Sequence, residues 1–270
     1  MATSSEQITD LIHGYTDLKQ YFEGARARIK HEIETMYDTQ SIYVDSNTGD
    51  DANEGSSAAP LRTFGMALTR VRDGGKTVIQ LREGLVYGTS GGNTAVTFNA
   101  KTTIEIRKWD NQYSDPVTHP ILHLENTIEN GQNSSATTIF ANNSFKLDIR
   151  GVKVVCDVPS DETIGWVGFK RKFVRAGHSR SGVTLDIRVN QSIFTVPPNA
   201  VQFAGPQYFE TIILGVDRIE ISGDGALVTD VNRGVIVASV GTVVASNTTK
   251  LLDGGTLGEN VLTNSPTVTL

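Results

Sequence analysis

Ile104-Glu105-Ile106-Arg107, Leu147-Asp148-Ile149-Arg150, Leu185-Asp186-Ile187-Arg188 and Ile219-Glu220-Ile221-Ser222 are four versions of one phrase: an aliphatic residue, an acid, isoleucine, then usually arginine. Successive copies begin 43, 38 and 34 residues apart. Apolar and charged residues alternate with the period of a strand, whose side chains point to opposite faces in turn. Each copy follows a second apolar strand and a corner of small residues. These are Val96-Thr97-Phe98-Asn99-Ala100, Ile139-Phe140-Ala141-Asn142, Phe173-Val174-Arg175-Ala176-Gly177 and Val201-Gln202-Phe203-Ala204-Gly205. Strand, corner and strand recurring at such an interval is the pattern of a solenoid, in which each repeat buries its apolar side against the next. Loops of different length leaving the corners account for the uneven spacing. The competing reading is a β-sandwich whose strands share an amphipathic pattern.

Stacking has an electrostatic consequence. Neighbouring strands lie about 4.8 Å apart, so copies in register would place Glu105, Asp148, Asp186 and Glu220 in one repelling column. Arg107, Arg150 and Arg188 would form a neutralising column beside it, each pair weak if exposed.

The period is different upstream. Ile8, Leu11, Tyr15, Leu18, Phe22, Ala25 and Ile29 alternate three and four apart, with Met36 rejoining the register after Glu32 interrupts it. This is a heptad seam, and it predicts a helix over 5–37, about 45 Å long at ~1.5 Å per residue. The alternatives are a self-associating coiled-coil stalk and an amphipathic helix packed on its own domain. Residues 1–40 therefore read as a helical stalk or attachment segment. Residues 41–76 read as an opening strand (Ile42-Tyr43-Val44), a polar turn and a capping helix. That helix begins near Phe64, faces inward with Phe64, Ala67, Leu68 and Val71, and is stopped by Gly74-Gly75. Residues 77–270 read as the solenoid shaft, starting with the strand Thr77–Leu81.

Composition excludes several functions. The chain has 270 residues, 38% hydrophobic and 20% charged, with 26 glycines and a formal net charge of -6. Such a balance argues against nucleic acid as a partner, since phosphate contact needs clustered Lys and Arg. Cys156 is the single cysteine, so neither an intrachain disulfide nor a Cys-rich metal site can form. The start carries no signal-peptide pattern and no apolar run is long enough to insert in a membrane, so synthesis in a reducing cytoplasm is expected.

Chemistry-bearing motifs are few. Glycoside hydrolysis uses two carboxylates flanking the scissile bond, and Asp148 with Asp186 is the candidate pair, although acids beside Arg on a strand face are commonly surface ion pairs. The loop Asp45–Glu54 lacks calcium-loop spacing, because Gly49 stands where a ligand is needed. Among His13, His31, His119, His123 and His178 no zinc pattern occurs, and Pro120 separates His119 from His123. Gly74-Gly75-Lys76-Thr77 precedes a strand rather than opening a helix, so it is no phosphate loop. No metal and no cofactor is expected. Trp109, Tyr113, Trp166, Phe169 and Tyr208 fall near the loops between repeats, where they either stack on sugars or pack the corners.

Tyr43-Val44-Asp45, Gly49-Asp50-Asp51, Asn53-Glu54-Gly55 and Pro60-Leu61-Arg62-Thr63-Phe64 with Ala67-Leu68 resemble the opening of right-handed parallel β-helix proteins of the pectate-lyase-like kind. Ile79-Gln80-Leu81, Glu83-Gly84 and Tyr87 look like their first rung. A helix carrying Tyr21-Phe22-Glu23-Gly24-Ala25-Arg26 before such an opening resembles bacteriophage tail-fibre and tailspike proteins. The resemblance implies a homotrimer in the virion tail, made in the host cytoplasm. Its N-terminal segment would be held by other tail or baseplate proteins and its shaft turned toward a host surface polysaccharide or receptor. The stretch ending in Pro266-Thr267-Val268-Thr269-Leu270 contains no recognisable receptor-binding head. The expected role is thus a structural subunit for host attachment, not an enzyme. The alternatives are a polysaccharide-degrading β-helix lyase or hydrolase and a non-binding connector of the tail or baseplate.

Overall fold

A computed structural model describes residues 13, 15–26, 39–90, 95–159, 161–167, 171–176, 182–206, 210–245, 250–253, 256 and 259–264. The chain divides into two units, 1–38 and 39–270.

In the first unit, residues 15–26 form helix α1. Of the heptad seam, Tyr15, Leu18 and Phe22 are each more than half exposed, while Ile8, Leu11 and Ile29 lie outside the described residues. What stands is a helix with an apolar stripe facing solvent. The expected coiled coil is not shown.

The second unit is mainly β and built from parallel pairings, as in a parallel β-helix. One face runs through β1 (Thr39–Val44), β2 (Lys76–Leu81), β5 (Thr102–Lys108), β10 (Phe145–Arg150) and β13 (Thr184–Asn190), then the first half of β16 (Thr211–Ser222) and of β18 (Val235–Ala245), and ends at β20 (Val261–Thr263). A second face holds β3 (Val86–Gly88), β6 (Ile121–Leu124), β11 (Lys153–Cys156), β14 (Ser192–Thr195) and the second halves of β16 and β18. The third face is the six-stranded sheet of β4 (Ala95–Phe98), β9 (Thr138–Ala141), β12 (Lys172–Ala176), β15 (Gln202–Ala204), β17 (Ala226–Val228) and β19 (Lys250–Leu252). The chain visits the faces in the order one, two, three and climbs one rung per circuit. The small-residue phrases quoted above fall on the third face at β4, β9, β12 and β15, with Gly177 outside the described residues. The sandwich alternative is set aside, because its strands would pair antiparallel. Among the described strands only the hairpin β7 (Asn126–Glu129) with β8 (Gln132–Ser135) does so.

Like residues stack into ladders inside the coil. Ile42, Ile79, Ile106, Ile149, Val189, Val216 and Val240 occupy successive rungs of one column. Phe145, Leu185, Ile212, Ile236 and Val261 form another. Burying each such side chain stabilises the fold by about 1.5–3 kcal/mol. The register also corrects the expected acid column. Copies one and two of the phrase align, Glu105 opposite Asp148. Copy three is displaced by two residues, so Asp148 faces Arg188 and Lys146 faces Asp186. Copy four is on another face altogether, where Ile219–Ser222 pairs with β14. A two-residue displacement keeps every aliphatic inward, because the side-chain period is two, and it exchanges repulsion for attraction between rungs.

At the N-terminal end, helix α2 (Phe64–Thr69) buries Phe64, Ala67 and Leu68. Thr63 caps it by accepting a hydrogen bond from Met66 N. Asp51 accepts from the amides of Arg62 and Thr63 and from the Thr63 hydroxyl. Asp45 accepts from Asn47 N, Thr48 N and the Thr48 hydroxyl. The polar loop is thus a hydrogen-bonded turn. The helix ends at Arg70, short of the expected stop at Gly74.

Candidate functional site

The outward side of the first face carries the charged residues that alternate with the aliphatic ladders. Glu105 and Asp148 are 4% and 6% exposed, unusually low for acids on an outer sheet surface. The cations above them explain it. Glu105 is met by Lys76 Nζ at 3.1 Å, Arg107 Nη1 at 3.4 Å and Arg150 Nε at 3.7 Å. Asp148 receives Arg150 through two bonds, Nε at 3.0 Å and Nη2 at 2.5 Å. Asp186 receives Arg188 in the same way, at 2.6 and 3.4 Å. Each arginine folds back along its strand onto the acid two positions earlier. The hydrogen bonds that Asp148 accepts hold Arg150 above the usual arginine range, and those that Asp186 accepts do the same for Arg188, with a further contribution from the Asp148 charge. Both guanidiniums are therefore permanently charged.

Beyond these arginines the face sinks into a groove of about 590 Å³. Its lining includes Lys146, Arg150, Arg188, Asn190 and Asp217, with Gly215, Ser239 and Gly241 as small residues between them. Register puts Gly215 opposite Arg188 and Ser239 opposite Gly215. A Cβ at Gly215 would stand 2.6 Å from Arg188 Cδ, so the missing side chain is what lets Arg188 lie across the next strand. At Gly241 a Cβ would come within 2.5 Å of the Asp217 carbonyl, which fixes glycine where β18 turns from the first face to the second. From β10 to β20 the groove crosses five strands, about 19 Å at 4.8 Å per rung. It is an open trough that runs along the stacking axis.

Asp148 and Asp186 both belong to this surface but are not opposite one another. They are one strand and two residues apart, about 8 Å between Cα atoms, each bound to its own arginine. Glu220 lies on the second face, and its neighbours there are Ile193 and Val244. Trp109 packs on Tyr43 at 4.7 Å with Arg82 over its ring, and Trp166 is covered by Arg171. Tyr113 lies against Gly151. These three pack corners. Phe169, Tyr208, His31 and His178 fall outside the described residues.

Two features carry no mark in the sequence. His123 Nδ1 bonds Asp157 Oδ1 at 2.9 Å on the second face, both about one-third exposed. His119 is buried and its Nε2 bonds the Tyr113 carbonyl at 3.1 Å, which makes Nε2 the protonated nitrogen. Burial pushes the His119 imidazole pKa down, as do Lys108 and Lys153. Among the described residues no group of three or more His, Cys, Asp or Glu could hold a metal ion. No helix among them is long and apolar enough to cross a membrane.

No family model matches the chain, and no curated protein matches it. Among solved structures it is similar to a rhamnogalacturonan lyase, with 11% identity and a TM-score of 0.38, over 83% of this chain and 65% of that one. The expectation that the chain is not an enzyme is withdrawn on this finding, which at a TM-score of 0.38 assigns the chain no activity of its own.

Proposed function

We propose that the chain acts on a polysaccharide held in the groove of the first face, binding and cleaving it there. The observation that carries this reading is the trough itself. It follows the axis for several rungs, its small residues leave room for rings to lie flat, and its charged groups are fixed on a rigid sheet rather than on loops. Asp148 and Asp186 supply two carboxylates on this face, their Cα atoms about 8 Å apart, and glycoside hydrolysis uses two such groups flanking the scissile bond. The test is incubation of the full chain with a panel of bacterial surface polysaccharides, following new reducing ends and the ultraviolet absorbance of unsaturated sugars. Turnover that falls in Asp148→Asn or Asp186→Asn, with an unchanged melting temperature, supports the reading. Absence of turnover and of binding across the panel refutes it.

A second reading is favoured by the exposed stripe Tyr15, Leu18 and Phe22 on α1. In it, the helix associates with copies of itself, the chain is a homotrimeric tail-fibre or tailspike subunit of a phage virion, and the groove serves host attachment. The opening motif and the heptad spacing support it. The two readings are compatible, since one subunit can both attach to a glycan and cut it.

A further inference from the structure

We propose that the groove selects glycans bearing anionic substituents (carboxylate, sulfate or phosphate), gripped by the free edges of Arg150 and Arg188. This rests on the polysaccharide reading and names its substrate class. Each guanidinium has five N–H donors in a fixed fork. In both arginines Nε and Nη2 are spent on the preceding acid, while Nη1 forms no hydrogen bond among the described residues. Arg188 Nη1 lies 2.9 Å from where a Gly215 Cβ would be, so its free edge rests over the small-residue part of the groove. Arg150 lies over Asp148, which is in register with Arg188. The two free edges thus stand one to two rungs apart, about 5–10 Å. Lys146 lines the same groove and forms no ion pair among the described residues. Asn190, also on the lining, has a buried Oδ1 with no hydrogen-bond partner among the described residues, an acceptor suited to a sugar hydroxyl rather than to the oxyanion. In a chain whose formal net charge is -6, the outward side of this face gathers Lys76, Arg107, Lys146, Arg150 and Arg188 against Glu105, Asp148, Asp186 and Asp217. The acids hold the arginines flat and leave the remaining donors for an oxyanion, which a guanidinium edge recognises through two parallel bonds.

The experiment is calorimetric titration of the full chain at physiological salt with alginate, dextran sulfate, a poly(glycerol phosphate) and neutral dextran. Binding of at least one anionic polymer and not of dextran is expected, and the preferred polymer identifies the oxyanion. Arg150→Gln and Arg188→Gln should each weaken binding about tenfold or more. Arg188→Lys, which keeps charge and loses the fork, should also weaken it. Lys101→Gln, an equal change of charge at an exposed corner, should alter it little. Circular dichroism and melting of each variant report folding. If a variant unfolds, Gly215→Ala displaces Arg188 while removing no charge, and it should weaken binding similarly. Tight binding of dextran, or equal losses in Lys101→Gln and Arg188→Gln, would overturn the inference and leave the polysaccharide reading standing. No binding to any of these polymers would also overturn the inference, whereas the polysaccharide reading stands or falls on the turnover panel above.

Discussion

The two-residue displacement between β10 and β13 can be tested with engineered disulfides. A disulfide needs Cα atoms about 4.4–6.8 Å apart and cannot form beyond ~7 Å without backbone movement. Asp148 and Arg188 are register partners, so their Cα atoms are about 4.8 Å apart. Asp148 and Asp186 are diagonal, one rung (about 4.8 Å) by two residues (about 6.6 Å), which gives about 8 Å. The double variant Asp148→Cys/Arg188→Cys should therefore crosslink under mild oxidant, and Asp148→Cys/Asp186→Cys should not. Cys156 is fully buried, its thiol pushed well above the usual range by burial, so it does not compete. The loop closed by the first crosslink spans about 41 residues, and chain entropy assigns it about 4 kcal/mol. The ion pairs lost are partly exposed and worth up to ~1 kcal/mol each. The oxidised variant should thus melt above its reduced form. Thiol titration under denaturing conditions reads the bond, and a melting scan with and without reductant reads the stabilisation. Crosslinking of 148 to 186 but not to 188 would refute this register and restore the unbroken acid column.

Ile149 is fully buried between Ile106 and Val189, so Ile149→Ala should cost about 2–5 kcal/mol in denaturant unfolding, while Ile193→Ala on the outer second face should cost much less. His119 is kept neutral by burial, its folded pKa below the ordinary 6.5. Between the two values the unfolded chain binds more protons, so stability should be full above about pH 6.5 and fall as pH drops below it. A variant His119→Asn should lose that part of the pH dependence, and an unchanged slope would contradict it. On the attachment reading, Phe22→Asp should shift the sedimentation mass toward monomer.

How much of this fold is legible in the sequence depends on which signals periodicity carries. First-face and third-face strands announce themselves, because the strict alternation of Leu147-Asp148-Ile149-Arg150 fits a half-buried strand and not a helix, and the small corner after Ile139-Phe140 recurs at the same place in each repeat. The second face leaves a fainter trace. Ile121-Leu122-His123-Leu124, Lys153-Val154-Val155-Cys156 and Ser192-Ile193-Phe194-Thr195 are four-residue strands, and Ile121, Val155 and Ile193 on their outer side are half-buried. Alternation is blurred there, and short apolar runs do not reveal their period. The circuit consequently reads as two strands when it has three. Ile219–Ser222 reads onto the wrong face for a related reason: β16 is one strand of 12 residues that turns a corner, and an unbroken strand gives no sequence mark of the bend.

The groove is the least legible part, and the cause is register. Its members come from 146 to 264, and nothing in the spacing of Gly215, Ser239 and Gly241 shows that they adjoin. Matching phrases by residue type aligns acid with acid. That arrangement would add repulsion of about 1 kcal/mol in water and ~3 kcal/mol at a partly screened surface for each neighbouring pair. Burial cannot tell the two alignments apart, because both keep Leu185 and Ile187 inside. Charge can: the displaced register puts Arg188 between Asp148 and Gly215, where it is attracted on one side and unobstructed on the other. The same displacement that relieves the acids opens the free guanidinium edge to the groove, so the stability of this face and its proposed affinity for anions come from a single choice of pairing.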